Sequence, residues 1–211
     1  STVDLGTTVL AEAVARFTHR YPATQVDVHL SNNMVDLVLD GFDLALRVSG
    51  RPLRDSSLVA RKVGAIVIQL FASPAYLARK GVPRSPEDLK NHDWVGFRPS
   101  VKMVLVGPTA EAVVDQRPRI TVEDMSFMRE LLKAGGGVGA VPSFLADEAV
   151  AAGTLVRVMP RWVAHTGGVY LVHPSRKHLP RKVTAFGDLV TELLRQRPLW
   201  APSPGEVVSP S

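Results

Sequence analysis

Asp43 and Arg47 are the two residues here whose types and spacing look most like machinery. The stretch Asp43-Leu44-Ala45-Leu46-Arg47-Val48 reads as a strand, and residues four apart on a strand share a face. A carboxylate facing a guanidinium is most simply a structural ion pair, and we read it as one. The histidines at 19, 29, 92, 165, 173 and 178 show no HxxxH or HExxH spacing, so no metal site is expected. Gly135-Gly136-Gly137-Val138-Gly139 follows a predicted helix and precedes a predicted strand. That is the reverse of the dinucleotide-binding order, so it reads as a helix stop and a tight turn. Cysteine is absent, which removes disulfides, thiolate nucleophiles and Cys-ligated zinc together. No GxSxG and no Ser/His/Asp order suggests a nucleophile. The residues offer no catalytic centre, no metal and no cofactor, and the expectation is a protein that is not an enzyme.

Bulk properties narrow the rest. The 211 residues are 45% hydrophobic, enough for one large domain or two small lobes with real cores. No apolar run approaches the ~18 residues of a membrane span, so no membrane partner is expected. Ser1-Thr2-Val3-Asp4 lacks the basic and apolar regions of a secretory signal, although a processed chain would look the same. The formal net charge is +5. Apart from Arg176-Lys177 and Arg181-Lys182 the basic residues are scattered, with no aromatic residues interleaved as a stacking platform. They read as a solvated face, not as a nucleic-acid surface.

The elements that must position any site alternate between strand and helix. Val9, Leu10, Ala13, Val14 and Phe17 mark one face of a helix over 7–21, with Thr7 or Thr8 as its cap and Pro22 as its stop. Residues 26–30 alternate as a strand, and Ser31-Asn32-Asn33 caps a short helix over 34–39. Residues 43–48 form the next strand. Residues 66–71 are a continuous apolar strand of the buried type, followed by Ser73-Pro74 opening a helix. Ser85-Pro86-Glu87-Asp88-Leu89 repeats that grammar. Strands are expected at Trp94–Phe97, Met103–Val106, 112–115 and 119–122, then a helix over 125–134. A strand at 139–141, a helix over Ser143–Ala151 and strands at 155–159 and 169–173 follow. The last helix, 181–195, turns Val183, Phe186, Leu189, Val190, Leu193 and Leu194 inward. The tail from 198 to 211, with prolines at 198, 202, 204 and 210, is expected to be disordered.

This alternation predicts an α/β fold with largely parallel sheets. The ligand crevice of such sheets lies beyond the carboxyl ends of the strands. Here those ends feed helix starts at 3–8, 31–33 and 73–74, which carry hydroxyl and amide side chains beside unsatisfied N–H groups. Their convergence would make a polar cup for a small ligand.

Several segments, in order, resemble one family. Phe17-Thr18-His19-Arg20-Tyr21-Pro22 is similar to the motif that closes the first helix of the LysR-type effector domain. Val35-Asp36-Leu37-Val38-Leu39-Asp40-Gly41-Phe42-Asp43-Leu44-Ala45-Leu46-Arg47 resembles its next segment. Ser57-Leu58-Val59-Ala60-Arg61-Lys62 and Ala72-Ser73-Pro74-Ala75-Tyr76-Leu77 follow. Gly81-Val82-Pro83, then Pro86-Glu87-Asp88-Leu89 with His92, and finally residues 135–142 complete the likeness, which covers about residues 3–195.

The resemblance implies two Rossmann-like lobes of the type 2 periplasmic-binding-protein kind. Lobe I would hold 1–70 and 168–197, and lobe II 71–167. Hinge crossovers would lie near Phe71-Ala72 and Thr166-Gly167-Gly168. It implies an effector-sensing domain of a LysR-type transcription regulator that binds a small-molecule co-inducer between the lobes. The chain would associate with itself as dimer or tetramer, and reach DNA only through a winged helix-turn-helix expected before Ser1, where the first strand would also begin. The compartment would be the cytoplasm. The alternative is a periplasmic solute-binding protein of a transporter, and a third reading is a small enzyme on the same scaffold.

The implied effector contacts are Thr2, Val3, Asp4 and Leu5 in the first loop and Ser31 and Asn32 in the second. Phe97 and Arg98, with Val122 and Glu123, lie at two strand ends of lobe II. Gly168 and Val169 lie at the return hinge. Asp4 stands where many relatives carry a small hydroxyl. Either it caps the helix and faces away, or the effector is cationic or neutral.

Overall fold

The computed structural model describes residues 1–50, 57–98, 102–175 and 179–200. Arg176-Lys177, His178 and the tail beyond Trp200 fall outside the described residues. Leu199, at the foot of that tail, is buried. The chain divides into two compact units, Ser1–Ala65 with Gly167–Leu199, and a second built on Ile66–Thr166.

In the first unit the opening helix starts a full turn earlier than its sequence pattern predicts. It comprises α1 (Val3–Leu5), a wider π-type turn at Gly6–Leu10, and α2 (Ala11–Arg20). Thr7 and Thr8 are therefore inside the helix and not at its cap. The Thr7 hydroxyl donates backwards to the carbonyls of Val3 and Asp4, at 3.1 and 3.2 Å. The exposed N–H of Val3 is met by the side-chain oxygen of Asn32 at 3.3 Å. A cap supplied from so far along the chain leaves no local mark. The helix stops before Pro22, as expected, with the Tyr21 N–H closing on the Phe17 carbonyl at 2.8 Å. Phe17 is buried and meets the ring of Phe186 edge-on at 5.1 Å. That contact ties α2 to α6 (Arg181–Gln196), whose Val183, Val190, Leu193 and Leu194 are buried.

The helix predicted at 34–39 is a single turn. Asp36 accepts the N–H groups of Val38 and Leu39 through its own carboxylate, at 2.9 and 3.0 Å. That side-chain bonding competes with helix propagation. Residues 26–30 form no strand ladder among the described residues. The Ser1 ammonium donates to the His29 carbonyl at 3.0 Å, and the Ser31 N–H returns to the Ser1 carbonyl at 2.9 Å. β1 (Ala45–Ser49) pairs antiparallel with β9 (His165–Pro174), from Ala45 opposite Val172 to Ser49 opposite Gly168.

β2 (Leu58–Ala72) is far longer than the apolar run 66–71 that predicted it, because its first half is interrupted by Arg61, Lys62 and Gly64 and is not buried. In the second unit its end pairs antiparallel with β7 (Val138–Pro142) and β8 (Val156–Val158). β7 and β6 (Ile120–Val122) both run parallel to β3 (Trp94–Phe97). The expectation of largely parallel sheets is thus corrected to a mixed arrangement. Only strands joined by a crossover helix must run parallel. α4 (Met125–Lys133) joins β6 to β7 in that way, and no such link joins β2 to β7. β4 (Met103–Val106) and β5 (Glu111–Val114) form a separate antiparallel hairpin.

The core of this unit has two sides. Leu70, Trp94, Val138 and Ala140 pack with Tyr76 and Leu77 of α3 (Pro74–Lys80) on one. Phe71, Val95 and Val141 pack on the other with Met128 and Leu132 of α4 and Ala146 of α5 (Ser143–Ala151). Neighbours on one strand face opposite ways, so a continuous apolar run is what a sheet covered on both faces requires. Among the described residues no helix is long and apolar enough to cross a membrane.

Candidate functional site

The first unit holds a pocket of about 230 Å³ bordered by Thr2, Ser31, Asn32, Asn33, Arg47 and Ser49, with His29, Met34 and Val35 also on its wall. It lies where three pieces of chain meet: the start of α1, the turn at 31–33 and the strand β1. Each has a local cause. Thr2 is extended and stands at the N-cap without a side-chain cap bond. The Ser31 hydroxyl accepts the Asn33 N–H at 3.1 Å, a turn of the Ser/Thr kind. The Asn32 amide ties this turn to Val3. Ligand pockets generally run from roughly 300 to 1,000 Å³, so this one suits a small metabolite.

Of the residues expected at the site, Thr2, Ser31 and Asn32 border this pocket, and Val3 is bonded to it through Asn32. Asp4 and Leu5 are buried beneath the helix start and do not line it. Gly168 pairs with Ser49 and Val169 with Val48. Both thus border wall residues, and Val169 is fully buried.

Phe97, Arg98, Val122 and Glu123 come together in the second unit. Phe97 stands opposite Val122 in parallel register, and the Arg98 N–H donates to the Val122 carbonyl at 2.9 Å. The Arg98 guanidinium lies 3.3 Å from the Glu123 carboxylate, both side chains well exposed. The next residue, Asp124, caps α4 by accepting the Phe127 N–H at 2.7 Å. Two parallel strands thus end together at a helix start, which is where α/β sheets bind ligands.

The ion pair expected between Asp43 and Arg47 is corrected. β1 begins at Ala45, so Asp43 is not on its pleat. The Asp43 carboxylate stands 3.7 Å from Lys182 of α6. Arg47 donates to the Val35 carbonyl at 2.6 Å and lines the pocket. Sequence reasoning therefore missed Arg47 as a wall residue, along with Ser49. The signal was available: Arg47 and Ser49 alternate with the buried Leu46 on a strand end. Burial, and then the charge of Arg47, lowers the pKa of the Ser1 ammonium in the same pocket. Among the described residues no cluster of three or more His, Asp or Glu is gathered as a metal would need.

A family model described as the LysR substrate binding domain matches residues 1–195. An uncharacterized HTH-type transcriptional regulator of Haemophilus influenzae is 32% identical over 188 residues, 87% of this chain and 64% of its own length. The HTH-type transcriptional activator AaeR of Escherichia coli is 30% identical, over 87% of this chain and 60% of its own. The regulatory domain of AphB from Vibrio vulnificus superposes with a TM-score of 0.78 at 30% identity, covering 89% of this chain and 93% of that one. The regulatory domain of CrgA, a LysR-type transcriptional regulator from Neisseria meningitidis, gives a TM-score of 0.78 at 28% identity, covering 91% and 95%. The chain spans about three fifths of the length of the curated relatives it matches.

Proposed function

This chain belongs to the LysR substrate binding domain family, and from that premise we propose that the pocket beside Asn32 holds the small-molecule effector of a transcription regulator. The α/β fold is of the type 2 periplasmic-binding-protein kind, as in the LysR-type regulatory domains it matches. A transporter's solute-binding protein is not favoured, because the curated relatives are named as transcriptional regulators. That naming also supports a sensor over an enzyme.

Residues 1–70 with 168–197 and residues 71–167 act as two lobes in this reading. β2 and β9 are the crossovers on which they hinge. An effector that prefers one hinge angle shifts the population of that state, by tenfold for each ~1.4 kcal/mol of differential affinity. The shift passes to DNA through an N-terminal helix-turn-helix and through self-association, and the work is done in the cytoplasm. Arg98 and Glu123 of the second unit are the second set of effector contacts.

The observation that carries the reading is the Asn32–Val3 bond, which builds a pocket wall from residues far apart in sequence. The test is a thermal-shift screen of the 211-residue chain against metabolites. A ligand at a hundred times its Kd adds about 2.7 kcal/mol, or roughly 5–10 °C for a chain of this size. Ser31→Ala and Asn32→Ala are expected to abolish the shift, and Arg98→Ala to reduce it. A stabilising ligand indifferent to Ser31 and Asn32 places the effector elsewhere.

A further inference from the structure

The first helix accommodates one extra residue between α1 and α2. There the Ala11 N–H reaches back five residues to the Gly6 carbonyl, where an α-helix reaches back four. Such widened turns are rare, and they occur mostly as single turns at functional sites. This one separates two sets of anchors. Downstream, Ala13 and Phe17 are buried, and Phe17 is pinned edge-on against Phe186. Upstream, three contacts fix the register of the helix start. Leu5 is buried. The Val3 N–H is held by Asn32 at 3.3 Å. Gly6 lies against Leu30 so closely that a Cβ on it would clash with both terminal methyls of that side chain. Leu30 leads directly into the 31–33 turn of the pocket, and the Ser31 N–H is bonded to the Ser1 carbonyl at 2.9 Å. The Thr7 hydroxyl donates to two carbonyls of the helix start, those of Val3 and Asp4.

Resting on the functional reading above, we propose that this turn is a register latch, by which a one-residue slip of the helix start assembles or dismantles the effector pocket. In the widened register the pocket wall is assembled. In the other register the turn closes to an α-helix, with the Ala11 N–H on the Thr7 carbonyl. Each upstream residue then moves back one place, by about 1.5 Å and about 100° around the axis. Gly6 takes the place of Leu5, and Thr7 arrives under Leu30. Leu30 must swing aside, which its part-exposed side chain permits. Val3 turns away from Asn32, and Ser1 is displaced from Ser31. The wall of Thr2, Ser31 and Asn32 comes apart as a unit, because one slip breaks these contacts together. α2 stays in place, held by Phe17. An effector that bridges Thr2 to Ser31 or Asn32 binds the assembled register alone, and so shifts the population toward it.

The experiment needs no ligand. NMR relaxation dispersion on the isotopically labelled 211-residue chain reads a minor state that exchanges on the μs–ms scale. Residues 3–11 and 29–32 are expected to share one exchange process, while residues 13–20 stay flat. Asn32→Ala removes one anchor of the assembled register and is expected to raise the minor population about fivefold or more. Asn32→Asp keeps the acceptor and is expected to leave that population near its starting value. Gly6→Ala sets a methyl under Leu30 in the assembled register and is expected to raise it too. Thr8 is an exposed residue of the turn. Its deletion removes the extra residue, so that α1 and α2 join as one α-helix with every anchor kept. The shared process is expected to vanish in that variant, even with Asn32→Ala added. Should Asn32→Ala fail to fold, Gly6→Ala and the Thr8 deletion decide the matter. A flat profile over residues 3–11 in the unaltered chain and both substitutions overturns the proposal. So does exchange unmoved by either substitution, or exchange that survives deletion of Thr8. Any of these results leaves the sensor reading standing, because the thermal shift and its loss in Ser31→Ala test that reading separately.

Discussion

Asn32 links two loops, and its replacement separates structure from binding. Its side-chain oxygen accepts the Val3 N–H that begins the first helix. Removing such a cap costs about 1 kcal/mol, so Asn32→Ala is expected to lower the denaturant midpoint slightly while abolishing effector binding. Asn32→Asp keeps the acceptor and is expected to retain stability, yet to weaken an anionic ligand by adding a charge near Arg47. At residue scale the second unit offers a pH handle. His92 is partly buried, its Nδ1 lying 3.3 Å from the Tyr76 hydroxyl, with Lys80, Asp88 and Asp93 nearby. Burial, and then Lys80, lowers its pKa below the ordinary 6.5, with Asp88 and Asp93 opposing. A depressed histidine pKa means that the unfolded chain takes up the proton first. Its stability contribution is therefore complete above about pH 6.5 and is lost as pH falls through the lower folded value. Melting temperature measured from pH 8 to pH 5 should fall with this sign, and His92→Gln should flatten that limb. Ser31, Asn32 and Thr2 were legible as candidates because polar residues at a strand-to-helix junction are conspicuous. Arg47 was passed over although its alternation with Leu46 was the signal, because Asp43 four residues earlier offered a simpler partner.

At the scale of elements, the helices were the most readable parts and the pairings the least. Hydrophobic periodicity marks α2, α4 and α6 because each buries one stripe. The beginning of α1 was misplaced by a full turn because its N–H groups are satisfied by a distant amide and not by Thr7 or Thr8. Strand direction has no signature in a single apolar run, which is why the antiparallel pairing of β2 with β7 and β8 was missed. The glycine run after α4 is a different matter, since its geometry is demanding. Gly137 has φ +143°, and a Cβ there would lie 2.1 Å from the Asp93 carbonyl oxygen. That same oxygen accepts the Val138 N–H at 2.9 Å and so registers β7 beside β3. Gly137→Ala is expected to cost about 2–3 kcal/mol or more through backbone strain and the clash. A melting temperature within a degree or two of the unaltered chain would contradict this. The reading of residues 135–139 as a stop and turn thus rests on a close approach that only glycine permits.

The whole molecule is a basic α/β chain in two units, and its surface retains exposed apolar side chains. Phe127 on α4 is 59% exposed, and Val26, Val28 and Leu30 are exposed along the segment after α2. We expect these faces to serve self-association, and light scattering at micromolar concentration should return a dimer or larger. A monomer at every concentration would contradict that expectation. The fold class was legible at this scale because alternating helix and strand patterns leave few architectures, and ordered family segments left fewer. The ligand was not legible, because the polar wall residues Thr2, Ser31, Asn32, Asn33 and Ser49 lie outside the segments that identify the scaffold. The proposed sensing function requires that an effector occupy the pocket between α1, the 31–33 turn and β1. The most direct measurement is chemical-shift mapping of the isotopically labelled chain with the ligand found by thermal shift. Occupancy of that pocket places the largest backbone changes on residues 2–6, 31–34 and 47–49. Changes confined to other surfaces, with those three stretches unmoved at saturation, would contradict it.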